Sequence, residues 1–182
     1  AFNLLENLLR WTRNQNGKTK IYATLFNLTP VARQVVSLFS AIANAKEIEL
    51  INRIEGKFDI FADEDMIKTV LRNLISNAIK FTYTGGQVEL SLADSGDCWT
   101  IYVKDNGKGI PKDLQTHLLK SDEYITTYGT HNEKGSGLGL ILCRDFIRMN
   151  KGKLHFCSQE GIGTTFYFTI PKASSSAKAA SR

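Results

Sequence analysis

One long helix constrains the fold of this chain more than any other feature. Residues 63–81 have the apolar periodicity of a helix, and Asp63 suits the N-cap position. The apolar positions with helical spacing include Val70, Leu71, Leu74, Ile75 and Ala78. Two alternating strands are predicted soon after, at 88–93 and 99–104, joined by a turn at 94–97. A helix with one apolar face buries that face against another layer, so helices packed on a sheet are expected.

The remaining patterns extend this prediction to an α/β sandwich of the α+β type, with two layers. Its sheet is expected to be mixed and mostly antiparallel, with the helices on one face. A helix is predicted from Thr29 as N-cap, with Pro30 at the first helical position, to about residue 45. A short helix is expected after Pro111 and a longer one at 138–150. The further predicted strands are 21–28, 48–54, 58–62, 153–158 and 164–170.

Both ends of the chain differ in composition from the part between them. Residues 2–15 have helical apolar spacing that stops at Asn16, which predicts the end of an amphipathic helix. Residues 172–182 consist of Ala, Ser, Lys and Arg with little to bury, as is typical of a linker. At 182 residues the chain suits one domain. We therefore expect a helix end at 1–18, a globular domain at 19–171 and a tail at 172–182.

The charge of the chain does not favour a nucleic-acid partner. The formal net charge is +5, but residues 1–20 and 172–182 each carry +3, which leaves −1 for residues 21–171. A DNA-binding domain needs its positive charge on a folded face. The cysteines form no C-x-x-C pair, and no apolar run approaches the roughly 20 residues of a membrane helix. The sequence predicts a domain in a reducing cytoplasm that binds no nucleic acid.

A polar row runs along the long helix beside its apolar face. Asn73, Asn77 and Lys80 stand at i, i+4 and i+7, so their side chains share one side of the helix. An amide oxygen is a suitable ligand for Mg²⁺, and a neighbouring lysine can offset phosphate charge. Amphipathic helices also usually have a solvated polar face. The spacing alone leaves both interpretations open.

Two glycine-rich segments follow the long helix. The first, Asp-Asn-Gly-Lys-Gly at 105–109, comes directly after a predicted strand. Its glycines would let the backbone approach a flat ligand while Asp105 accepts a hydrogen bond, although Asn-Gly is also a common turn. The second, Gly-Ser-Gly-Leu-Gly-Leu at 135–140, opens a helix and matches neither a Walker A loop nor a dinucleotide fingerprint. It suits a polyphosphate at a helix N-terminus, or alternatively a flexible loop.

Taken in order, these motifs resemble the ATP-binding domain of sensor histidine kinases. Residues 73–81 resemble its N box, residues 105–109 its first glycine box and residues 135–140 its second glycine box. Residues 160–166 resemble the turn and last strand of the same domain, so the resemblance covers about residues 21–171. It implies the Bergerat fold, shared with gyrase, the ninety-kilodalton heat-shock chaperones and mismatch-repair ATPases. It also implies ATP and Mg²⁺ as ligands.

The resemblance assigns a role to each motif residue. Asn77 would coordinate Mg²⁺, with Asn73 beside the metal and Lys80 near the phosphates, so Asn73 and Lys80 are the expected catalytic residues. Asp105 would bind the adenine amino group. The base pocket would be shaped by Gly107 and Gly109, and the lid hinge and phosphate cradle by Gly135, Gly137, Leu138 and Gly139. Residues 120–134 would form the body of a mobile ATP lid.

Asn73 also bears on the class of reaction that the resemblance implies. The hydrolytic relatives carry a glutamate there as general base, whereas an amide is a poor base at neutral pH, so hydrolysis should be slow. The expected function is therefore transfer of the γ-phosphoryl group of ATP to a histidine. Two alternatives stay open, a non-catalytic nucleotide-binding module and a serine kinase of the anti-sigma type, which normally keeps an acidic residue here. Leu118 and Leu119 depart from the phenylalanine that many relatives have before the lid.

The resemblance implies partners as well. Residues 1–18 would end a dimerisation hairpin whose first helix carries the phosphoacceptor, and His117, His131 and His155 lack the sequence context of that acceptor. The isolated fragment is therefore not expected to phosphorylate itself. The full-length protein would be a homodimer that passes phosphate to the receiver domain of a response regulator. Its ATP-binding part would be a cytoplasmic domain of a bacterial inner-membrane sensor kinase.

Overall fold

The computed structural model describes residues 20–116, 118, 129–131 and 138–172. The helices of this part are α1 (Leu28–Ala45), α2 (Glu64–Phe81), α3 (Lys112–Gln115) and α4 (Leu138–Met149). The strands are β1 (Thr24–Asn27), β2 (Glu49–Asn52), β3 (Asp59–Ala62), β4 (Gln87–Ser95), β5 (Cys98–Asp105), β6 (Leu154–Gln159) and β7 (Gly163–Pro171). The helix predicted at 2–15 and the tail beyond Lys172 lie outside the described residues.

A five-stranded mixed sheet forms one layer, with the order β2-β4-β5-β7-β6. Strand β2 pairs with β4 in parallel, and the other three pairs are antiparallel. Helices α1, α2 and α4 pack beside one another and against this sheet. The predicted sandwich is therefore confirmed. Strands β1 and β3 pair with each other in a separate two-stranded sheet, which the strand patterns did not indicate.

Helix α2 supplies the centre of the core. Asp63 caps it as predicted, since Asp63 Oδ1 accepts a hydrogen bond from Met66 N–H at 3.1 Å. The predicted apolar positions of α2 are all buried. They meet fully buried side chains of the sheet, such as Leu90, Ile101 and Phe168. Each such side chain stabilises the fold by about 2 kcal/mol through burial, and α2 is therefore fixed against the sheet that carries the glycine-rich loop.

The start of α1 corrects one prediction. The cap is Asn27, not Thr29, and Pro30 is the third helical residue. Asn27 Oδ1 accepts hydrogen bonds from Thr29 N–H at 3.2 Å and Phe58 N–H at 3.1 Å. Thr29 Oγ1 donates instead to Gly56 O at 2.7 Å. The cap moves because the Asn27 amide satisfies two N–H groups at once, and proline is tolerated throughout the first helical turn.

Strand β1 is also shorter than the predicted strand at 21–28. In the described part of the chain, no helix has both the length and the apolar character needed to cross a membrane.

Candidate functional site

Asp105 is a buried carboxylate at the end of β5. It is 6% exposed, and burial raises its pKa to about 6, while two backbone hydrogen bonds act in the opposite direction. Its Oδ1 accepts those bonds from Gly107 N–H at 2.9 Å and Thr164 N–H at 3.1 Å. Within the described part of the chain, no group donates a hydrogen bond to Oδ2. One oxygen is thus held by the protein, and the other can accept from a ligand.

The loop after β5 passes close to other backbone segments. A Cβ atom at Gly107 would lie 2.1 Å from Phe81 O, and one at Gly109 would lie 2.0 Å from Gln159 O. Lys108 N–H, between the two glycines, donates to Phe81 O at 3.0 Å. The loop therefore lies between the end of α2 and the turn before β7, and no side chain fits at either glycine.

Strand β7 completes the surroundings of Asp105 in a way that the motifs did not indicate. Besides the Thr164 N–H bond, Gly163 approaches so closely that a Cβ atom there would lie 2.1 Å from Asp105 O. Its φ of 140° also favours glycine. The sequence signal was present as a glycine immediately before two threonines, but only the pairing of β5 with β7 reveals its target.

The polar row of α2 lies on the flank of the helix, where Asn73, Asn77 and Lys80 are half-buried. Asn73 Nδ2 donates to Thr69 O at 2.9 Å. Its Oδ1 lies next to α4, because a Cβ atom at Gly139 would be 2.9 Å from this oxygen. The structure therefore brings the first residue of the polar row together with the last glycine of the second glycine-rich segment.

Only part of that second segment is described. Leu138 is buried and begins α4 as predicted. Leu118 packs against the hydrophobic core. The other residues that carry predictions here, namely Gly135, Gly137, His117, Leu119 and most of 120–134, lie outside the described residues. The proposed phosphate cradle and lid therefore stay predictions.

The end of α2 receives hydrogen bonds from two distant segments. Lys46 Nζ donates to Ile79 O at 2.9 Å and to Lys80 O at 3.0 Å. Thr130 N–H donates to Lys80 O at 3.1 Å, and the single hydroxyl proton of Thr130 is within reach of Thr82 O, 2.9 Å from Oγ1, and of Lys80 O, 3.2 Å away. The sequence pattern did not indicate either contact. Both fix the helix end that carries Lys80.

Two lysine ammonium groups lie close to one aromatic ring at the same end of α2. The ammonium groups of Lys80 and Lys108 lie 4.8 and 5.0 Å from the centroid of the Phe81 ring. Two lysines near one aromatic ring provide a favourable electrostatic environment for an anion. Among the described residues, no cluster of three or more His, Cys, Asp and Glu side chains could hold a metal ion.

The two described histidines, His131 and His155, make contacts with residues other than Asp105. His131 Nε2 is 3.2 Å from Thr84 Oγ1, on the exposed side of the α2 end. The ring of His155 stacks on Tyr167, with centroids 5.3 Å apart, on the sheet.

Comparison with known proteins places this site in a family. Residues 62–174 match the family described as histidine kinase-, DNA gyrase B- and HSP90-like ATPase. The adaptive-response sensory kinase SasA of Crocosphaera subtropica is 30% identical over 170 residues, which are 92% of this chain and 44% of SasA. The catalytic domain of histidine kinase ThkA has a TM-score of 0.70 at 31% identity, covering 83% of this chain and 96% of that domain.

Two further structures show relatives with ligands or partners. Full-length ShkA in complex with AMPPNP has a TM-score of 0.79 at 26% identity, covering 94% of this chain and 35% of ShkA. ThkA in complex with the response regulator protein TrrA has a TM-score of 0.70 at 27% identity, covering 94% of this chain and 49% of ThkA.

The chain therefore belongs to this ATPase family, and within it to the ATP-binding catalytic domains of the sensor histidine kinases of two-component signal transduction. It spans less than half the length of SasA.

Proposed function

We propose that this domain binds Mg-ATP and donates the γ-phosphoryl group to a histidine on the upstream dimerisation domain of its kinase. Asp105 is the observation that carries the binding step. Its Oδ1 is held by two backbone N–H groups, so Oδ2 of this buried carboxylate remains to accept a hydrogen bond from a ligand donor. The adenine amino group is such a donor, and the flat base fits beside a loop whose glycines lack side chains.

The phosphates and Mg²⁺ are assigned to the flank of α2 and the start of α4. Asn77 offers an amide oxygen, which is a hard ligand that suits Mg²⁺, and Lys80 lies one turn further along the same flank. When bound, Mg²⁺ would neutralise phosphate charge. Asn73 and Gly139 adjoin at this flank. The proposed nucleotide site also includes Gly107, Gly109, Gly135, Gly137 and Leu138.

Asn73 favours transfer over hydrolysis. Its amide is a poor base at neutral pH and cannot activate water by accepting a proton. A neutral imidazole nitrogen is already a nucleophile and needs no base at this position. In the proposed step, a bond forms between this nitrogen and the γ-phosphorus, the bond from the γ-phosphorus to the bridging oxygen breaks, and ADP leaves.

The same chemistry separates this proposal from its alternatives. A serine acceptor has a hydroxyl proton that a base must remove, and Asn73 cannot supply that base. A binding module without catalysis would use Lys80 in the same way, to offset phosphate charge. The contacts that hold Asp105 favour a nucleotide pocket in either case, so only a transfer experiment distinguishes them.

The partners follow from the proposed transfer. The phosphohistidine would pass its phosphoryl group to the receiver domain of a response regulator, and the complex of ThkA with TrrA supports such a partner. The full-length protein would be a homodimer through its dimerisation domain, with this domain in the cytoplasm. Residues 1–18 are assigned to the end of the dimerisation hairpin, residues 19–171 to the ATP-binding domain and residues 172–182 to a tail.

Incubation with γ-labelled Mg-ATP tests the transfer step. The chain alone should gain no acid-labile phosphate on His117, His131 or His155. Adding the separate dimerisation domain of the same kinase at high concentration should label that domain's histidine, because the covalent linkage otherwise supplies the effective concentration. Rapid stoichiometric labelling of the chain alone would refute this function.

A further inference from the structure

We propose that Lys46 is a positioning residue for phosphate binding, since its ammonium group fixes the last turn of α2, which carries Lys80 and directly follows Asn77. This inference rests on the proposed function, because it concerns the phosphates of the bound nucleotide. Lys46 directly follows α1 and belongs to none of the nucleotide-binding motifs.

Lys46 is buried in a way that lysine rarely is. The residue is only 7% exposed, and its Nζ donates to two carbonyl oxygens, Ile79 O at 2.9 Å and Lys80 O at 3.0 Å. Burial of an ammonium group is costly unless hydrogen bonds compensate for the lost water. Hydrogen bonds to the two carbonyl groups at the end of α2 therefore compensate for the burial of the Lys46 ammonium group.

These carbonyls are the groups that a helix cannot satisfy by itself. The last four C=O groups of an α-helix lack intrahelical partners, and the C-terminal end carries a partial negative charge. In α2, Ile79 O and Lys80 O receive the Lys46 ammonium, and Phe81 O receives Lys108 N–H at 3.0 Å. A cation at this end both satisfies the carbonyls and interacts favourably with the helix dipole.

The last turn of α2 borders the phosphate side of the site. Lys80 lies on it and Asn77 directly precedes it. Loss of the Lys46 ammonium would leave Ile79 O without its donor and loosen the turn, whereas Lys80 O would still accept from Thr130 N–H. Asp105 depends less on this turn, because Thr164 and Gly163 of β7 also hold it. Loss of Lys46 should therefore weaken contacts to the phosphates more than contacts to the base.

Lys46→Met tests this role, because methionine keeps an unbranched apolar stem and removes the donors. Calorimetry on the full chain should show Mg-ATP affinity reduced about tenfold, because the loosened turn must be ordered again on binding, at a cost on the scale of one unsatisfied buried carbonyl. Adenosine, which has no phosphates, should lose less than about twofold in affinity. The matched control is Lys57→Met, which removes an exposed lysine that pairs with Asp59 at 3.2 Å, and both affinities should stay at the parent value.

A structural role alone would reduce both affinities in parallel, so equal losses for Mg-ATP and adenosine would overturn the proposal. Parent-like Mg-ATP binding by a folded Lys46→Met variant would overturn it too. If that variant does not fold, Lys46→Arg keeps a cation with several donors and should bind Mg-ATP within about threefold of the parent. A larger loss in an Arg variant with parent-like thermal stability would count against the proposal. Failure of the parent itself to bind Mg-ATP would refute the proposed function, whereas the other results concern Lys46 alone.

Discussion

Replacing Asp105 with asparagine changes the hydrogen bonding of the pocket while keeping its shape. The amide oxygen of Asp105→Asn can still accept from Gly107 N–H and Thr164 N–H, which hold Oδ1 in the parent at 2.9 and 3.1 Å. The amide nitrogen then takes the place of Oδ2 and presents a donor to the adenine amino group, which is also a donor. A buried polar group without a partner costs about 2 kcal/mol, or about a thirtyfold loss of ATP affinity.

Although Asp105→Asn should weaken ATP binding, it should not lower the free energy of unfolding. Burial raises the pKa of Asp105 from 3.8 to about 6, so the folded state binds the proton more tightly than the unfolded state. The burial cost of the carboxylate is therefore fully present above pH 6, at about 3 kcal/mol. It is relieved as the pH falls from 6 toward 3.8. Asp105→Asn carries no charge and should unfold no more easily than the parent at neutral pH.

Calorimetric titration with Mg-ATP and with adenosine, together with urea unfolding at neutral pH, measures both effects. Asp113→Asn, which changes an exposed aspartate on α3, is the matched control and should alter neither property. Weaker binding of both ligands by a variant that is at least as stable as the parent supports the assignment. Parent-like affinity for adenosine would show that Asp105 does not bind the base.

Three further predictions concern the same site. Adenosine affinity should fall up to tenfold per pH unit below about pH 6, because protonated Asp105 loses carboxylate acceptor strength. Adenosine is used as the ligand because the phosphates of ATP titrate in the same pH range. An adenosine affinity that does not change with pH would contradict the role of Asp105. Asn77→Ala should weaken the magnesium-dependent part of ATP binding more than adenosine binding, and equal losses would exclude a metal-ligand role. Gly163→Ala should lower the free energy of unfolding by about 2 kcal/mol or more, since its Cβ would meet Asp105 O at 2.1 Å. In urea unfolding, Gly161→Ala is the control, because a Cβ atom there meets nothing within 4 Å, and equal effects at both glycines would argue against the close contact.

The parts of the fold that follow from local periodicity could be predicted from the sequence. Helix α2, its Asp63 cap and the β4–β5 hairpin depend on residues that are close along the chain. The polar row of α2 was predictable for the same reason, since i, i+4 and i+7 spacing fixes one side of a helix whatever surrounds it. The cap of α1 could not be predicted, because Asn27 and Thr29 are both suitable cap residues. The hydrogen bond from the distant Phe58 N–H favours Asn27.

The supporting contacts of the candidate site could not be predicted, since they join residues far apart along the chain. Lys46 reaches carbonyls 33 and 34 residues away, and Thr164 reaches Asp105 across 59 residues. Both contacts depend on which strands and helices become neighbours, and a single sequence pattern carries no such information. A lysine at the end of a helix usually lies in solvent, so nothing in the sequence distinguished Lys46 from other lysines.

Calorimetric titration of the chain with ATP, with and without Mg²⁺, tests the central claim most directly. We predict one nucleotide per chain, with tighter binding when Mg²⁺ is present, and with that difference reduced in Asn77→Ala but retained in the Asp113→Asn control. Undetectable binding of Mg-ATP by the folded chain would contradict the account.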